Sequence, residues 1–547
     1  MWELALVAVA IAAQLGLVWG FDFFPSVDGP AHVHLAHGFY EALRGDDFYG
    51  KLIELNSKIN PNIAIQSVLV ALMAIASPFV AEKIWLSLYF VCFAAAGAYT
   101  LSGINKKSLC LLPLLIFCSM SFSLAFGFYN FSFSVVVFLA WFGYWWRHRD
   151  TLRIGVILGH ALFAAIAYFT HIYAFVVTLL GIGTAGLAAI LLQVLREWSG
   201  GAPPVGNWRR WLLSHALPPL LGSIPELIAC LNFLFLRFGG GTAAGAAKLA
   251  PAEPERLIQL LIATSLTPYD RMELVPALAF VLTILFLLFM CLRHGRHVSN
   301  SIPLAACFAG FLALYFIMPN QWIVRWMPAR FQPMVFIALL LWLAALLPAA
   351  ARRSHRQMIG VAGLLIVLGS SAARTEIFAR IDDYYREYAS AAPHIAENST
   401  LIGLRLHTEM DGRPFPARVS VLIQACSRIA SLRHSVDLKN FQGDSNAHPI
   451  QFRPGIAATA ALGGNFAITA RPPQVDLMAY ERQTARPIDY VLLYGFRHAV
   501  EDKEALGRLD AQLRENYTLI YVSEPRGFVQ LYQRSAAARP ADAKEGR

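Results

Sequence analysis

Long apolar runs separated by short polar stretches fill the first two thirds of the chain. They lie at Leu4 to Gly20, Ile84 to Leu101, Leu109 to Ala125, Phe131 to Trp146, Ile154 to Tyr173, Ala174 to Leu195, Trp211 to Phe235, Leu274 to Leu292, Ile302 to Met318, Met334 to Pro348 and Ile359 to Ser371. Runs of this kind form helices that cross the roughly 30 Å hydrocarbon layer of a bilayer, so about eleven crossings are expected. Leu4 to Gly20 has neither a basic start nor a small-residue cleavage site, and reads as an uncleaved signal anchor. A further run, Ile63 to Ala76, is short, carries Gln66 and Ser67, and meets Pro78. It is expected not to cross but to lie as a re-entrant or interfacial helix.

From about Glu376 the pattern changes. Runs long enough to cross disappear, and short strand-like stretches at Leu401–Leu406, Tyr490–Tyr494, Leu519–Val522 and Phe528–Tyr532 accompany a helical period at Lys503–Asn516. The expected fold is mainly α: a polytopic membrane helix bundle with interfacial helices in the first outside loop, followed by a small C-terminal α/β soluble domain. The division runs 1–375 for the membrane domain, with its first outside loop at 21–83, then 376–535 for the soluble domain and 536–547 for a frayed tail.

Composition agrees, with 57% hydrophobic and 15% charged residues. The formal charge of +10 would suit a nucleic-acid binder, but its lysines and arginines cluster between apolar runs. Lys106–Lys107, Arg147–Arg149 with Arg153, Arg196 with Arg209–Arg210, Arg293–Arg296 and Arg352–Arg356 all fall on one side if Ile63 to Ala76 does not cross, and all flip if it does. The positive-inside bias selects the first arrangement and disfavours nucleic acid as a partner. The expectation is a multi-pass protein of the inner (cell) membrane with a cytoplasmic N-terminus and an extracytoplasmic C-terminal domain. Six of the seven cysteines lie in apolar runs and only Cys426 in the polar part, which excludes a disulfide within that domain.

Candidate chemistry concentrates at Asp28-Gly-Pro-Ala-His-Val-His-Leu-Ala-His-Gly-Phe-Tyr-Glu-Ala-Leu, just past the first apolar run. Asp28 suits the cap of a helix beginning at Gly29 and Pro30 and running to about Leu43. Ala31, Leu35, Phe39 and Ala42 fall along one side and His34, His37 and Glu41 on another, the pattern of an amphipathic helix flat on a membrane surface. Asp28 and His32 sit one turn apart. A carboxylate there can also take a proton from an acceptor group. Three ligands at the spacing of His34, His37 and Glu41 on one helix are unusual for a metal, and no metal site is assigned. Asp46–Asp47 read as a turn with solvated charges. His171 lies at the outer end of a crossing, where an ionisable group faces protein or water. It is the expected neighbour of Asp28 in a membrane-edge cavity, with a satisfied histidine within the bundle as the plainer reading. Asp270, Arg271, Arg325 and Arg330 stand at outer edges, against the positive-inside bias. The guanidinium groups suit a lipid phosphate, with snorkelling to ordinary headgroups as the plainer reading.

A signal anchor, an acidic residue heading a long first outside loop, interfacial helices, about eleven crossings and an outside C-terminal domain together resemble the GT-C class of membrane glycosyltransferases. Pro61-Asn62 and Gly127-Phe128-Tyr129-Asn130-Phe131 are similar to stretches of bacterial members. The resemblance covers roughly Met1 to Ser371. It implies a sugar donor carried on a polyisoprenyl phosphate or diphosphate, a membrane-lipid environment, and acidic catalysis in the first outside loop, where Asp28 takes the first acidic position. The family usually shows two adjacent acidic residues, whereas Asp28 is followed by Gly29 and Asp46–Asp47 lies downstream. The expected function is transfer of a sugar from such a donor to an acceptor on the extracytoplasmic side. Asp28, His32 and His171 are the expected catalytic residues, and Arg325, Arg330, Asp270 and Arg271 are expected to bind substrate. The alternative is a non-catalytic lipid or polysaccharide transporter or assembly protein on the same fold. The residues name no cofactor.

Overall fold

The computed structural model describes residues 2–56, 61–199, 212–238, 255–293, 298–320, 326–407, 409–410, 413–414, 418–445 and 448–535. Among them, seven helices are long and apolar enough to cross a membrane: Trp2–Trp19, Pro78–Ile104, Lys106–Ala125, Ile172–Trp198, Arg271–Arg293, Met327–Leu347 and Arg353–His394. An eighth is a broken pair, Leu212–Gly222 and Ile224–Phe235, bent by 53°. The other three expected crossings fold as Tyr129–His148, rich in Trp and Tyr, and as Ile154–Thr170 and Val298–Ile317. The chain is thus a multi-span membrane protein. The run after Ile63 folds as Ala64–Met73, ten residues. At 1.5 Å per residue it reaches about 15 Å, half the hydrocarbon thickness.

Two compact units divide the chain. The first holds Met1–Gly20, Ile59–Ile65 and Trp85–Glu376. Its helices expose large apolar side chains such as Leu158, Leu187, Leu231 and Phe286, which suits a surface that meets lipid.

The second unit joins Phe21–Lys58 and Gln66–Ile84 to Ile377–Arg547. Its five-stranded sheet runs Val436–Asp437, Thr400–Arg405, Tyr490–Tyr494, Val529–Arg534, Tyr517–Val522, the first three parallel and the last two pairings antiparallel. Thr400–Arg405 and Tyr490–Tyr494 are near-continuous apolar runs because both faces are covered. Helix Lys503–Asn516 starts where Asp502 accepts the Ala505 N–H, and it buries Ala505, Leu506, Leu509 and Leu513 along one stripe. A separate two-stranded ribbon pairs Ile53–Leu55 with Ile450–Phe452, Ile53 opposite Phe452. This ribbon and the packing of helix Gly29–Leu43 on helix Ala425–Leu432 build the first loop into the same core as the C-terminal residues.

Candidate functional site

In the second unit the helix holding the first-loop motif spans Gly29–Leu43, with Pro30 in its first turn and Asp28 at the N-cap position. Asp28 does not cap it: its backbone is helical rather than extended, and its side chain makes no capping hydrogen bond. The carboxylate is nevertheless buried, with 6% of the residue exposed. Nor does the helix lie flat on a membrane surface as its amphipathic pattern suggests, because every residue from Gly29 to Gly38 is buried. The polar face meets polar protein groups instead of water.

Those groups come mostly from the far end of the chain. The Gln66 amide stands 2.8 Å from His32 Nδ1 and the Gln442 amide 3.2 Å from Nε2. A neutral imidazole has one N–H and one lone pair, so it donates to one amide and accepts from the other. Asp437 donates its backbone N–H to His34 Nε2 at 3.3 Å, leaving Nδ1–H to donate to Ser431 Oγ at 3.3 Å. Asn440 donates to the Ala31 carbonyl at 3.1 Å. Burial, reinforced by His448, pushes His32 down to about 3, and burial with His37 beside it pushes His34 down to about 3. Burial and His434 bring His37 to about 4. His32 is therefore neutral at physiological pH.

Two further ties were not legible in the sequence. Arg428, buried, donates to Glu82 at 3.1 Å and to the Phe24 carbonyl at 2.9 Å, its guanidinium lying against Phe23 and Tyr385. Asp46 is not merely solvated: it accepts the Tyr49 N–H at 2.8 Å and pairs with His434 at 2.9 Å. Burial raises the Asp46 carboxyl, but hydrogen bonds from Tyr49 and His434 outweigh it and leave the group below its ordinary value. Among the described residues no group of three or more His, Cys, Asp or Glu is arranged to hold a metal.

The first unit gathers other candidates around Phe131. Arg330, 5% exposed, lies in the first turn of helix Met327–Ala350 with its guanidinium 3.7 Å from the Phe128 ring centroid and 5.3 Å from that of Phe131. A cation at a helix N-terminus opposes the macrodipole, and the aromatic faces offset this by cation–π attraction of about 2 kcal/mol when desolvated. His171 and Tyr173 border the same Phe131 ring, with centroids at 5.5 and 4.6 Å. His171 Nδ1 accepts the Tyr173 N–H at 3.0 Å, which leaves Nε2 to carry the proton of the neutral ring. The Tyr173 hydroxyl is buried and has no hydrogen-bond partner among the described residues. Such a group marks a place that a polar ligand can satisfy.

The two stretches behind the family resemblance meet here. Asn130 donates to the Asn62 carbonyl at 3.1 Å and accepts the Ile65 N–H at 3.2 Å. Gly127 holds φ +81°, a turn that only glycine makes without strain and that sets Phe128 beside Arg330.

The remaining candidates are placed differently. Asp270 accepts the Met272 N–H and forms a capping box with Glu273, whose carboxylate accepts the Tyr269 and Asp270 N–H groups. Asp270 thereby starts the turn before the crossing, and Arg271 is exposed. Glu273 also pairs at 2.6 Å with Arg374, both side chains fully buried. Arg325 lies outside the described residues.

No protein-family model matches the chain, and no curated protein matches it. Among solved structures it is similar to ArnT from Cupriavidus metallidurans in two states. Against the form bound to undecaprenyl phosphate the TM-score is 0.51 and the identity 11%, over 98% of each chain. Against the apo state the TM-score is 0.50 at the same identity and coverage. Along nearly its whole length, then, the chain has the fold of ArnT, a GT-C fold.

Proposed function

We propose that this protein is a membrane glycosyltransferase that moves a sugar from a polyisoprenyl-phosphate donor to an acceptor on the extracytoplasmic side. The observation that carries the reading is Asp28: a buried carboxylate at the head of a helix it does not cap, in the first loop of a chain with the ArnT fold. In this reading the acceptor oxygen attacks the anomeric carbon, Asp28 takes the acceptor proton, and the bond from that carbon to the phosphate oxygen breaks. Neutral His32, held at both ring nitrogens, keeps the first turn of the helix in place. Within the first unit taken by itself, buried Arg330 and the Tyr173 hydroxyl offer a cation and a hydrogen-bonding group that suit a lipid phosphate. Undecaprenyl phosphate, seen bound in ArnT, is the carrier to try.

The test is binding of undecaprenyl phosphate to the purified full chain. Arg330→Gln is expected to weaken it by roughly tenfold or more, the loss of one charge-assisted contact of about 1.5–3 kcal/mol. Arg508→Gln, a substitution at an exposed arginine of the C-terminal residues, should leave it unchanged. Equal effects at both positions would remove Arg330 from the phosphate role.

A further inference from the structure

At the opposite, arginine-rich end of the first unit, an apolar groove of about 550 Å³ opens between three membrane helices. That volume is in the roughly 300–1,000 Å³ range of small-ligand sites. One wall is a continuous stripe on helix Leu274–Arg293, running from Leu282 and Thr283 through Phe286 and Leu287 to Met290 and Cys291. At 1.5 Å per residue the stripe is about 14 Å long, a length over which an extended hydrocarbon chain can lie. Leu287, Cys291, Leu347 and Ile359 are buried and form its floor. Leu282, Phe286 and Met358 are 66%, 61% and 68% exposed at its rim, so the groove opens sideways onto the apolar surface that faces lipid.

Its end is charged. His355 and Ala351 line the groove where helix Arg353–Ala389 begins, and Arg352, Arg353 and His355 are all exposed there. Arg293, exposed, ends the facing helix. The segment from Pro348 to Met358 holds no acidic residue, and the N-terminus of helix Arg353–Ala389 adds its own partial positive charge. A hydrocarbon slot ending in a cationic cluster at a membrane edge is complementary to one class of molecule, a lipid with an anionic headgroup.

We infer that this groove binds one acyl chain of an anionic diacyl phospholipid, whose headgroup phosphate sits on Arg352, Arg353 and His355. The positive-inside bias accounts for the arginines, but it predicts neither an aligned groove nor any preference between lipids of equal chain length. The test is native mass spectrometry of the full chain equilibrated with equal amounts of dioleoyl phosphatidylglycerol and dioleoyl phosphatidylcholine. Phosphatidylglycerol should be retained preferentially, on the order of tenfold for two or more arginine contacts. Arg352→Gln with Arg353→Gln changes exposed side chains only and should bring the ratio to about one. Ala362→Phe, which fills the inner end of the groove, should lower retention of phosphatidylglycerol in the arginine-intact protein. Equal retention of the two lipids by the unsubstituted chain overturns the inference. So does a preference that survives the double arginine substitution, or displacement of phosphatidylglycerol by undecaprenyl phosphate in a manner that Ala362→Phe abolishes, which would give the groove to the carrier lipid.

Discussion

His32 and Gln442 are 410 residues apart in sequence and 3.2 Å apart in the structure. With Gln66 on the other ring nitrogen, Gln442 holds an imidazole one turn along the helix from Asp28. The first loop of the membrane part and the polar C-terminal residues are therefore one folded body, and the carboxylate at the head of the helix takes its position from both.

Gln442→Ala removes the partner of a buried imidazole nitrogen. Leaving such a polar group unsatisfied costs about 1–3 kcal/mol. The purified full chain should melt at a lower temperature than the unsubstituted protein, and His32→Leu on the Gln442→Ala background should recover part of the loss by removing the orphaned group. An unchanged melting temperature in Gln442→Ala would mean that this contact holds nothing in place.

Glu273 and Arg374 form a fully buried pair, and Arg374 also donates to the Leu266 carbonyl at 2.9 Å. Removing one partner strands a charge in a low-dielectric interior, a loss of about 3–5 kcal/mol. Glu273→Leu and Arg374→Met should each destabilise severely, while the double variant should be less damaged than the sum of the two. Thermal melts of all three in one detergent check this, and strict additivity would show that the two groups are not coupled.

The three buried histidines of helix Gly29–Leu43 give the protein a predictable acid sensitivity. His32 and His34 lie near 3 and His37 near 4 in the fold, against 6.5 when unfolded. Between those limits the unfolded chain binds more protons, so stability is complete above about pH 6.5 and falls as pH drops toward 4. Each such histidine steepens the fall by about 1.4 kcal/mol per pH unit. Melting temperatures measured from pH 7.5 to 4.5 should decline, and His34→Gln should make the decline shallower. A flat profile would mean that these rings are not buried as neutral groups.

Much of this architecture is legible in the residues because it rests on local signals. Tyr490–Tyr494 and Lys503–Asn516 carry the unbroken and 3.6-residue apolar patterns of a covered strand and an amphipathic helix, and both fold over those residues. Ala64–Met73 is short because its apolar run is short. Helix Gly29–Leu43 was readable as a helix but not as a buried one: a histidine face looks the same in sequence whether it meets water or Gln66, Ser431 and Gln442. Strands of two and three residues such as Val436–Asp437 and Ile53–Leu55 have no period to detect, and they are part of what joins the first loop to the C-terminal core. The Asp270 capping box has the Asp-x-x-Glu spacing of a helix start, a local signal that its place at an outer edge obscured.

The central claim is that Asp28 accepts a proton during sugar transfer. It is tested most directly by measuring free undecaprenyl phosphate released from a host-cell lipid extract, which supplies lipid-linked sugars without prior choice of one, by membranes carrying the unsubstituted chain or Asp28→Asn. Asn keeps the size and hydrogen-bonding capacity of the side chain but cannot take a proton. Loss of a general base lowers a rate by about 10²–10⁴-fold. The account predicts release by the unsubstituted chain and a loss of that size in Asp28→Asn, with the variant still folded and still binding undecaprenyl phosphate. Release by Asp28→Asn at the unsubstituted rate would contradict it.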